Sequence, residues 1–261
     1  MSVYVIAEAG VNHDGDLDRA LKLIDIAKTA GADAVKFQLF NASTCKGEMR
    51  ELLTPLELSK DAHRKLYSYC LKVGIDYMAS CFDHEQIDFV VELGCKSLKI
   101  GSGELTNHKL LRHAAESGLF VYLSTGMSTE REVIDAFEIL VPTRRCLMHC
   151  VSAYPTATKD ANLWLIKALG VYGCPVGYSD HVAGIFCASI ATALGAYAIE
   201  KHFTDDCGRS GPDHHMSIEP ANLNLFVHNI RLTEKMIGHD IEKRILPCEI
   251  ETRKIAVGRW S

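Results

Sequence analysis

The sequence predicts an α/β fold, a single (β/α)8 TIM barrel, and three observations carry that prediction. Eight short β-rich runs recur along the chain, and amphipathic helical stretches lie between them. The length, 261 residues, leaves little beyond the roughly 250 that one such barrel needs. The runs are residues 3–9, 34–40, 77–82, 97–101, 120–125, 146–152, 176–179 and 196–203. Most are continuous apolar stretches rather than strict alternations, the pattern of parallel strands buried on both faces. An open, doubly wound sheet shares the alternation. Its usual nucleotide fingerprints are missing, because no run is followed by Gly-x-Gly-x-x-Gly or a P-loop.

The first run leads into Glu8-Ala9-Gly10-Val11-Asn12-His13. Leu17, Leu21, Ile24 and Ala27 then keep the 3.6-residue period, and Gly31 supplies the stop. The second run places Lys36 and Gln38 on one face. A second helix is predicted over 58–73, ending at Gly74, and the third run closes on Ser80 and Cys81. The fourth carries Lys99 into Gly101-Ser102-Gly103-Glu104, and the fifth leads to Ser124-Thr125-Gly126. Thr129 and Glu132 form a capping box that opens a helix over 129–140. The sixth run passes His149 and Cys150 into Ser152 and Tyr154. The seventh ends Ser179-Asp180-His181, and the eighth reads Glu200-Lys201-His202. A last helix over 223–237 stops at Gly238. Residues 241–261 read as an extension beyond a barrel domain of 1–240.

With 48% hydrophobic and 23% charged residues and a net charge of −5, the composition is that of a soluble globular protein. No apolar run approaches the ~18 residues of a membrane span. The first ten residues lack a basic segment and contain Glu8, so no signal peptide is expected. No Lys/Arg block offers a nucleic-acid footprint. The expectation is a cytoplasmic protein with neither membrane nor nucleic-acid partners. Ten cysteines without a Cys-x-x-Cys pair read as reduced, mostly buried thiols. His149 is a poor activator for Cys150, since neighbours on a strand point to opposite faces.

In such a barrel the chemistry sits at the carboxyl ends of the strands, and here those ends are polar. A lysine inside an apolar strand needs a partner or a ligand. Lys36 and Lys99 both occupy that position, with Glu8, Glu104 or Glu200 as candidate partners. Together with the hydroxyls of Ser80, Ser102 and Ser179, they suit a phosphate or phosphate–carboxylate anion. His181 and the Glu200-x-His202 pair on the next strand suit a divalent ion with open positions. The loop Gly211-Pro212-Asp213-His214-His215 could add Asp213, and His214-His215 is a competing ligand pair. His63, His84, His108, His113, His228 and His239 read as satisfied core or surface residues.

Several strings resemble the N-terminal barrel of the sialic acid (N-acetylneuraminate) synthases, transferases that condense phosphoenolpyruvate with an N-acetylated aldose. They are Ile6-Ala7-Glu8-Ala9-Gly10-Val11-Asn12-His13-Asp14-Gly15, Val35-Lys36-Phe37-Gln38 and Lys99-Ile100-Gly101-Ser102-Gly103-Glu104. Ser124-Thr125-Gly126-Met127-Ser128, His149-Cys150 and Tyr154-Pro155 follow. Gly177-Tyr178-Ser179-Asp180-His181, Glu200-Lys201-His202-Phe203-Thr204 and Gly211-Pro212-Asp213-His214 complete the set in family order.

The resemblance implies that Lys36, Ser80, Lys99, Ser102, Ser152 and Ser179 hold phosphoenolpyruvate, and that His181 and His202 ligate Mn²⁺ or Mg²⁺. It implies sugar or metal-water contacts for Glu8, Gln38, Tyr154, Glu200 and Asp213. Glu8, Glu200 and Asp213 are the unranked candidates for proton transfer. The implied product is a nonulosonic, sialic-acid-like 2-keto-3-deoxy acid, formed with cleavage of the C–O bond and release of phosphate.

The chain departs from the family in three places. Ser80 stands where threonine is expected, and Ser152 where asparagine is commoner. The family also continues into a linker and an antifreeze-like domain that sends an arginine into its partner's sugar site. Here residues 248–254 resemble the start of that linker, and the sequence stops at Ser261. The expectation is a homodimer of barrels without that domain, its sugar side open, closed differently or completed by a separate chain. Two other readings stay open. A metal-dependent aldolase or lyase would leave one lysine unexplained unless that lysine formed a Schiff base. A catalytically incomplete sugar-acid-binding homologue would not require the full set of polar strand ends.

Overall fold

Each β-rich run becomes a strand, and the eight strands close on themselves in chain order, every neighbouring pair parallel. The computed structural model describes residues 2–238 and 241–259, so His239 lies outside the described residues. The strands are β1 (Tyr4–Gly10), β2 (Ala34–Leu39), β3 (Asp76–Cys81), β4 (Ser97–Ile100), β5 (Phe120–Ser124), β6 (Arg145–His149), β7 (Val176–Asp180) and β8 (Ala198–His202). The predicted runs overshoot at several carboxyl ends. Residues 150–152, for example, are apolar or small but have left the ladder.

The ten helices among the described residues are α1 (Leu17–Ala30), α2 (Glu48–Leu53), α3 (Lys60–Val73), α4 (His84–Glu92), α5 (His108–Glu116), α6 (Glu130–Ile139), α7 (Leu165–Leu169), α8 (Phe186–Ala193), α9 (Pro220–Ile237) and α10 (Ile250–Ala256). Asp16 caps α1 by accepting the N–H groups of Asp18 and Arg19, and Gly31 ends it at φ 82°. The Thr129–Glu132 capping box forms as predicted. α2 interrupts the stretch between β2 and α3 that the periodicity leaves as loop. α10 buries none of its side chains. Among the described residues, no helix is long and apolar enough to cross a membrane.

The inside of the barrel is organised by the two-residue strand period. At the amino end, Ile6, Ala34, Met78, Tyr122, Cys146, Met148 and Ala198 form an apolar plug. Two residues further along, the same faces carry Glu8, Lys36, Ser80, Ser124, Cys150 and Glu200, all lining one cavity. Gly177 lets Met148 and β8 pack closely, because a Cβ there would lie 2.3 Å from Met148 Sδ and 2.7 Å from the Ala198 carbonyl oxygen. The outward faces pack against the helices through residues such as Val5, Val35, Phe37, Leu98 and Ile199.

Two histidines in the packed shell carry a stability prediction. Burial pushes His13 down to about 4 and His63 down to about 3. His63 Nδ1 sits 2.7 Å from the Tyr77 hydroxyl, and His13 Nδ1 accepts the Gly15 N–H at 3.0 Å. Both pKa values are lower in the folded state, so the unfolded chain binds more protons below pH 6.5. Stability should therefore be full above that pH and fall as the pH drops toward 4. The loss is of order 3 kcal/mol for His13 alone. Urea midpoints measured from pH 7 to 4.5 test this, and a flat profile would exclude two neutral buried imidazoles.

Candidate active site

The carboxyl ends of the strands surround a cavity of about 280 Å³ lined by Glu8, Lys36, Gln38, Ser80, Lys99, Ser102, Ser152, Tyr154, Ser179, His181, Glu200 and His202, among others. Its floor is a cluster of four buried charged side chains. Lys36 Nζ lies 2.9 Å from Glu8 Oε2 and 3.6 Å from Glu200 Oε2, and it donates to Ser80 Oγ at 2.7 Å. Lys99 Nζ donates to both oxygens of Glu200, at 2.8 and 2.9 Å. Ser179 Oγ donates to Glu200 Oε1 at 2.8 Å. Of the three candidate partners, Glu104 is absent from this cluster. It accepts instead from the Asn107 side chain on a turn beyond β4.

The two carboxyl groups are driven apart. Burial is the largest influence on Glu8 and pushes it up to about 7, with Lys36 opposing and Glu200 adding to the rise. Burial also acts on Glu200, but Lys36, Lys99 and Ser179 outweigh it and hold this carboxylate well below its usual range. Lys36 is raised, because Glu200 and Glu8 overcome the effect of its burial. The cavity thus holds one firmly ionised carboxylate and one that titrates near neutrality.

A cradle of small groups faces this cluster. Gly126 N–H donates to Ser102 Oγ at 3.0 Å, and Ser102 Oγ lies 3.2 Å from Cys150 Sγ. Ser152 Oγ is buried in the same cradle, next to the Tyr154 hydroxyl. A Cβ on Gly126 would lie 2.4 Å from Ser152 Oγ and 2.9 Å from both Cys150 Sγ and Ser102 Oγ. Gly126→Ala should therefore displace the cradle, costing about 1–3 kcal/mol of stability and raising the ligand dissociation constant roughly tenfold. Calorimetric titration with phosphoenolpyruvate measures that constant, and unchanged affinity would take the cradle out of the site. The reading of Cys150 as a packed thiol missed its place here. The signal was the two-residue period that continues from Met148 through Cys150 to Ser152.

His181 and His202 close the cavity from β7 and β8. Val151's carbonyl can only accept, so the 2.7 Å contact places the His181 proton on Nδ1 and leaves Nε2 with a lone pair. A neighbouring hydroxyl, Ser179 at 3.4 Å from that nitrogen, gives its proton to Glu200. His202 Nδ1 is buried without a hydrogen bond, 3.7 Å from Asp213 Oδ2. The two rings are 6.0 Å apart, and Tyr154 packs against His181 at 4.3 Å. Burial pushes His181 down to about 4 and His202 well below its usual range, so both stay neutral, as metal ligands must be. Among the described residues no three His, Cys, Asp or Glu side chains converge on one point. What suits a divalent ion here is the lone pair on His181 Nε2 beside the unbonded ring nitrogen of His202.

The competing pair does not form. His214 spends one ring nitrogen on the Thr204 hydroxyl at 2.7 Å and the other on Asp14 at 2.9 Å, while His215 is exposed. Asp213, Glu8 and Gln38 instead meet over Gly10, which sits at φ 55° in the irregularity of the β1–β2 ladder. A Cβ on Gly10 would lie 3.1 Å from Asp213 Oδ2, 3.4 Å from Glu8 Oε1 and 3.6 Å from Gln38 Nε2. Burial raises Asp213. Its loop is tied down by Asn12, whose amide donates to Ser217 Oγ and the Phe203 carbonyl, and Ser217 in turn donates to the Asp213 carbonyl. The sequence reading had given Asn12 no role.

A family model described as the NeuB family matches residues 23–242. The chain belongs to the NeuB family. N,N'-diacetyllegionaminic acid synthase of Legionella pneumophila is 41% identical to it over 93% of this chain and 75% of that protein. N-acetylneuraminate-9-phosphate synthase of Mus musculus is 35% identical over 95% of this chain and 74% of that protein. Among solved structures, the N-acetylneuraminic acid (sialic acid) synthetase of Leptospira borgpetersenii serovar Hardjo-bovis, in complex with citrate, has a TM-score of 0.92. It is 38% identical, with 100% of this chain and 94% of that one covered. In this NeuB family chain, Glu8, Lys36, Gln38, Ser80, Lys99, Ser102, Ser152, Tyr154, Ser179, His181, Glu200 and His202 line the cavity and Asp213 approaches it over Gly10, whereas Glu104 and His214 do not.

Proposed function

We propose that the chain is a phosphoenolpyruvate-dependent synthase. It joins phosphoenolpyruvate to an N-acylated aldose and releases phosphate and a nonulosonic, sialic-acid-like 2-keto-3-deoxy acid. The observation that carries this reading is the convergence of Lys36 and Lys99 on one cavity, opposite the hydroxyl cradle around Gly126. The names of the relatives, synthases of legionaminic and neuraminic acids, point the same way.

Lys36 and Lys99 offset the charge of the phosphate and carboxylate in a water-poor cavity. Ser80 accepts from Lys36 and so keeps its own proton to donate. Ser102, which accepts from Gly126, and Ser152 supply further donors. His181 and His202 would hold Mn²⁺ or Mg²⁺, which when bound supplies Lewis-acid polarisation of the acceptor's aldehyde oxygen. C3 of phosphoenolpyruvate bonds to the aldehyde carbon, water adds at C2, and the C–O bond to phosphate breaks. The water gives up both protons, one to the new alkoxide and the other to the departing phosphate as C2 becomes a ketone. Glu8, titrating near 7, suits such transfers. Glu200, held ionised, suits electrostatic stabilisation of the cation developing at C2. Gln38, Tyr154 and Asp213 are assigned to the sugar side.

A Schiff-base aldolase fits less well, because Lys36 is held as an ammonium ion and Lys99 is bonded to both oxygens of Glu200. The homodimer and the cytoplasmic setting belong to the same proposal. The test is phosphate release from phosphoenolpyruvate with Mn²⁺ and a panel of aldoses, including N-acetylmannosamine and 2,4-diacetamido-6-deoxy sugars. Release should require an aldose and match the keto acid formed one for one. Binding of phosphoenolpyruvate and Mn²⁺ with no release for any aldose would sink the proposal.

A further inference from the structure

The mechanism leaves unused a second pair of charged side chains at the ends of β7 and β8. Asp180 immediately precedes His181, and Lys201 immediately precedes His202. By strand alternation they face away from the cavity, and they are partners in the β7–β8 register. Each is about 1% exposed, and Lys201 Nζ lies 3.1 Å from Asp180 Oδ2. Asp180 Oδ1 also accepts from the Val182 N–H at 3.0 Å and the Tyr178 hydroxyl at 3.1 Å. Lys201 Nζ donates to the Val182 carbonyl. The pair thus grips residue 182, directly after His181, by both its N–H and its C=O.

A buried ion pair seldom stabilises a fold more than apolar side chains of the same volume would. An apolar pair, however, cannot hold the two polar ends of one residue's backbone against a neighbouring strand. The segment is tied on its other side to residues following β6. Thr156 N–H donates to the His181 carbonyl at 2.8 Å, and His181 Nδ1 donates to Val151. Without the ion pair, those ties would remain, and the exit of β7 would be free to shift away from β8.

We propose that Asp180 and Lys201 are positioning residues for the two imidazoles, fixing the exit of β7 against β8 so that His181 and His202 keep the spacing a divalent ion requires. This inference rests on the reading of His181 and His202 as metal ligands. Supporting groups behind metal-bound histidines commonly change metal affinity by 10–100-fold, and the same range is expected here although the grip acts through the backbone.

The experiment uses the full chain and two ligands measured separately by calorimetry, Mn²⁺ alone and phosphoenolpyruvate alone, with urea unfolding alongside. The decisive variant is the double substitution Asp180→Leu with Lys201→Met, which removes both charges together. It strands the Val182 N–H and C=O and the Tyr178 hydroxyl, so the urea midpoint should fall, while the folded variant binds phosphoenolpyruvate as before and Mn²⁺ at least tenfold more weakly. Asp180→Asn serves as the second variant if the double one does not fold. It keeps an acceptor for the Val182 N–H, and Mn²⁺ affinity should again fall while phosphoenolpyruvate affinity holds. Wild-type Mn²⁺ affinity in either folded variant, or equal losses for both ligands, overturns the inference and leaves the pair a structural one. His181→Ala is the reference for loss of the metal. A wild-type chain that takes up no Mn²⁺ overturns the metal reading itself, an outcome visible before any variant is compared.

Discussion

Lys99→Ala is expected to abolish phosphoenolpyruvate binding and to lower kcat/KM by about three orders of magnitude, with the barrel still folded. Lys99 is one of two ammonium groups in the cavity, 3% exposed and held against both oxygens of Glu200. An opposite charge at 4 Å in a protein-like dielectric contributes about 4 kcal/mol, and each 1.36 kcal/mol is tenfold. The strand itself tolerates the change, because Leu98 and Ile100 on the opposite face pack into the main core and alanine leaves the ladder intact. Glu200 keeps Ser179 at 2.8 Å and Lys36 at 3.6 Å, so it is not stranded. Titration of the variant with phosphoenolpyruvate, phosphate release and far-UV circular dichroism together make the test. Normal binding by a folded variant would mean that the anion is held elsewhere.

Lys36 and Lys99 were legible in the sequence for a simple reason: an ammonium group within an apolar strand has to meet a charge or a ligand. Which carboxylate it meets was not legible, since that depends on how the barrel closes. Glu200 lies 101 residues beyond Lys99 and reaches it across the barrel interior, whereas nearby Glu104 turns away to Asn107. The same long-range dependence misled the reading of His214. Its spacing suited a ligand, but Asp14, 200 residues earlier in the chain, takes one of its nitrogens. Most of the strands were readable because a parallel strand buried on both faces leaves a continuous apolar run, and β7 and β8 were readable despite the polar residues at their ends. Short helices such as α7, with five residues, were not, because so few residues barely establish a 3.6-residue period. α8, with sequence Phe186-Cys187-Ala188-Ser189-Ile190-Ala191-Thr192-Ala193, hides for another reason, namely that it has almost no polar face to set against its apolar one.

Glu200→Gln should separate the two roles of the carboxylate cluster. The substitution keeps the shape and an oxygen that can accept from Ser179 and Lys99, and it removes only the charge. Two buried ammonium groups then face Glu8 alone. Breaking a buried pair in this way costs about 3–5 kcal/mol, so the urea midpoint in anion-free buffer should fall sharply. Millimolar phosphate or phosphoenolpyruvate should restore much of it, because a bound anion stabilises only the folded state and takes the place of the missing carboxylate. Turnover should fall at least a hundredfold, the usual effect of removing a fixed charge or donor from a reacting centre. The pH profile gives an independent check. The negative charge of Glu200 is one of the influences that raise Glu8, while Lys36 and Lys99 lower it. Removing that charge leaves the lysines less opposed, and the acidic limb of kcat/KM, assigned to Glu8, should move to lower pH. If the limb stays in place and stability is indifferent to phosphate, Glu200 is not the internal counter-anion of this site.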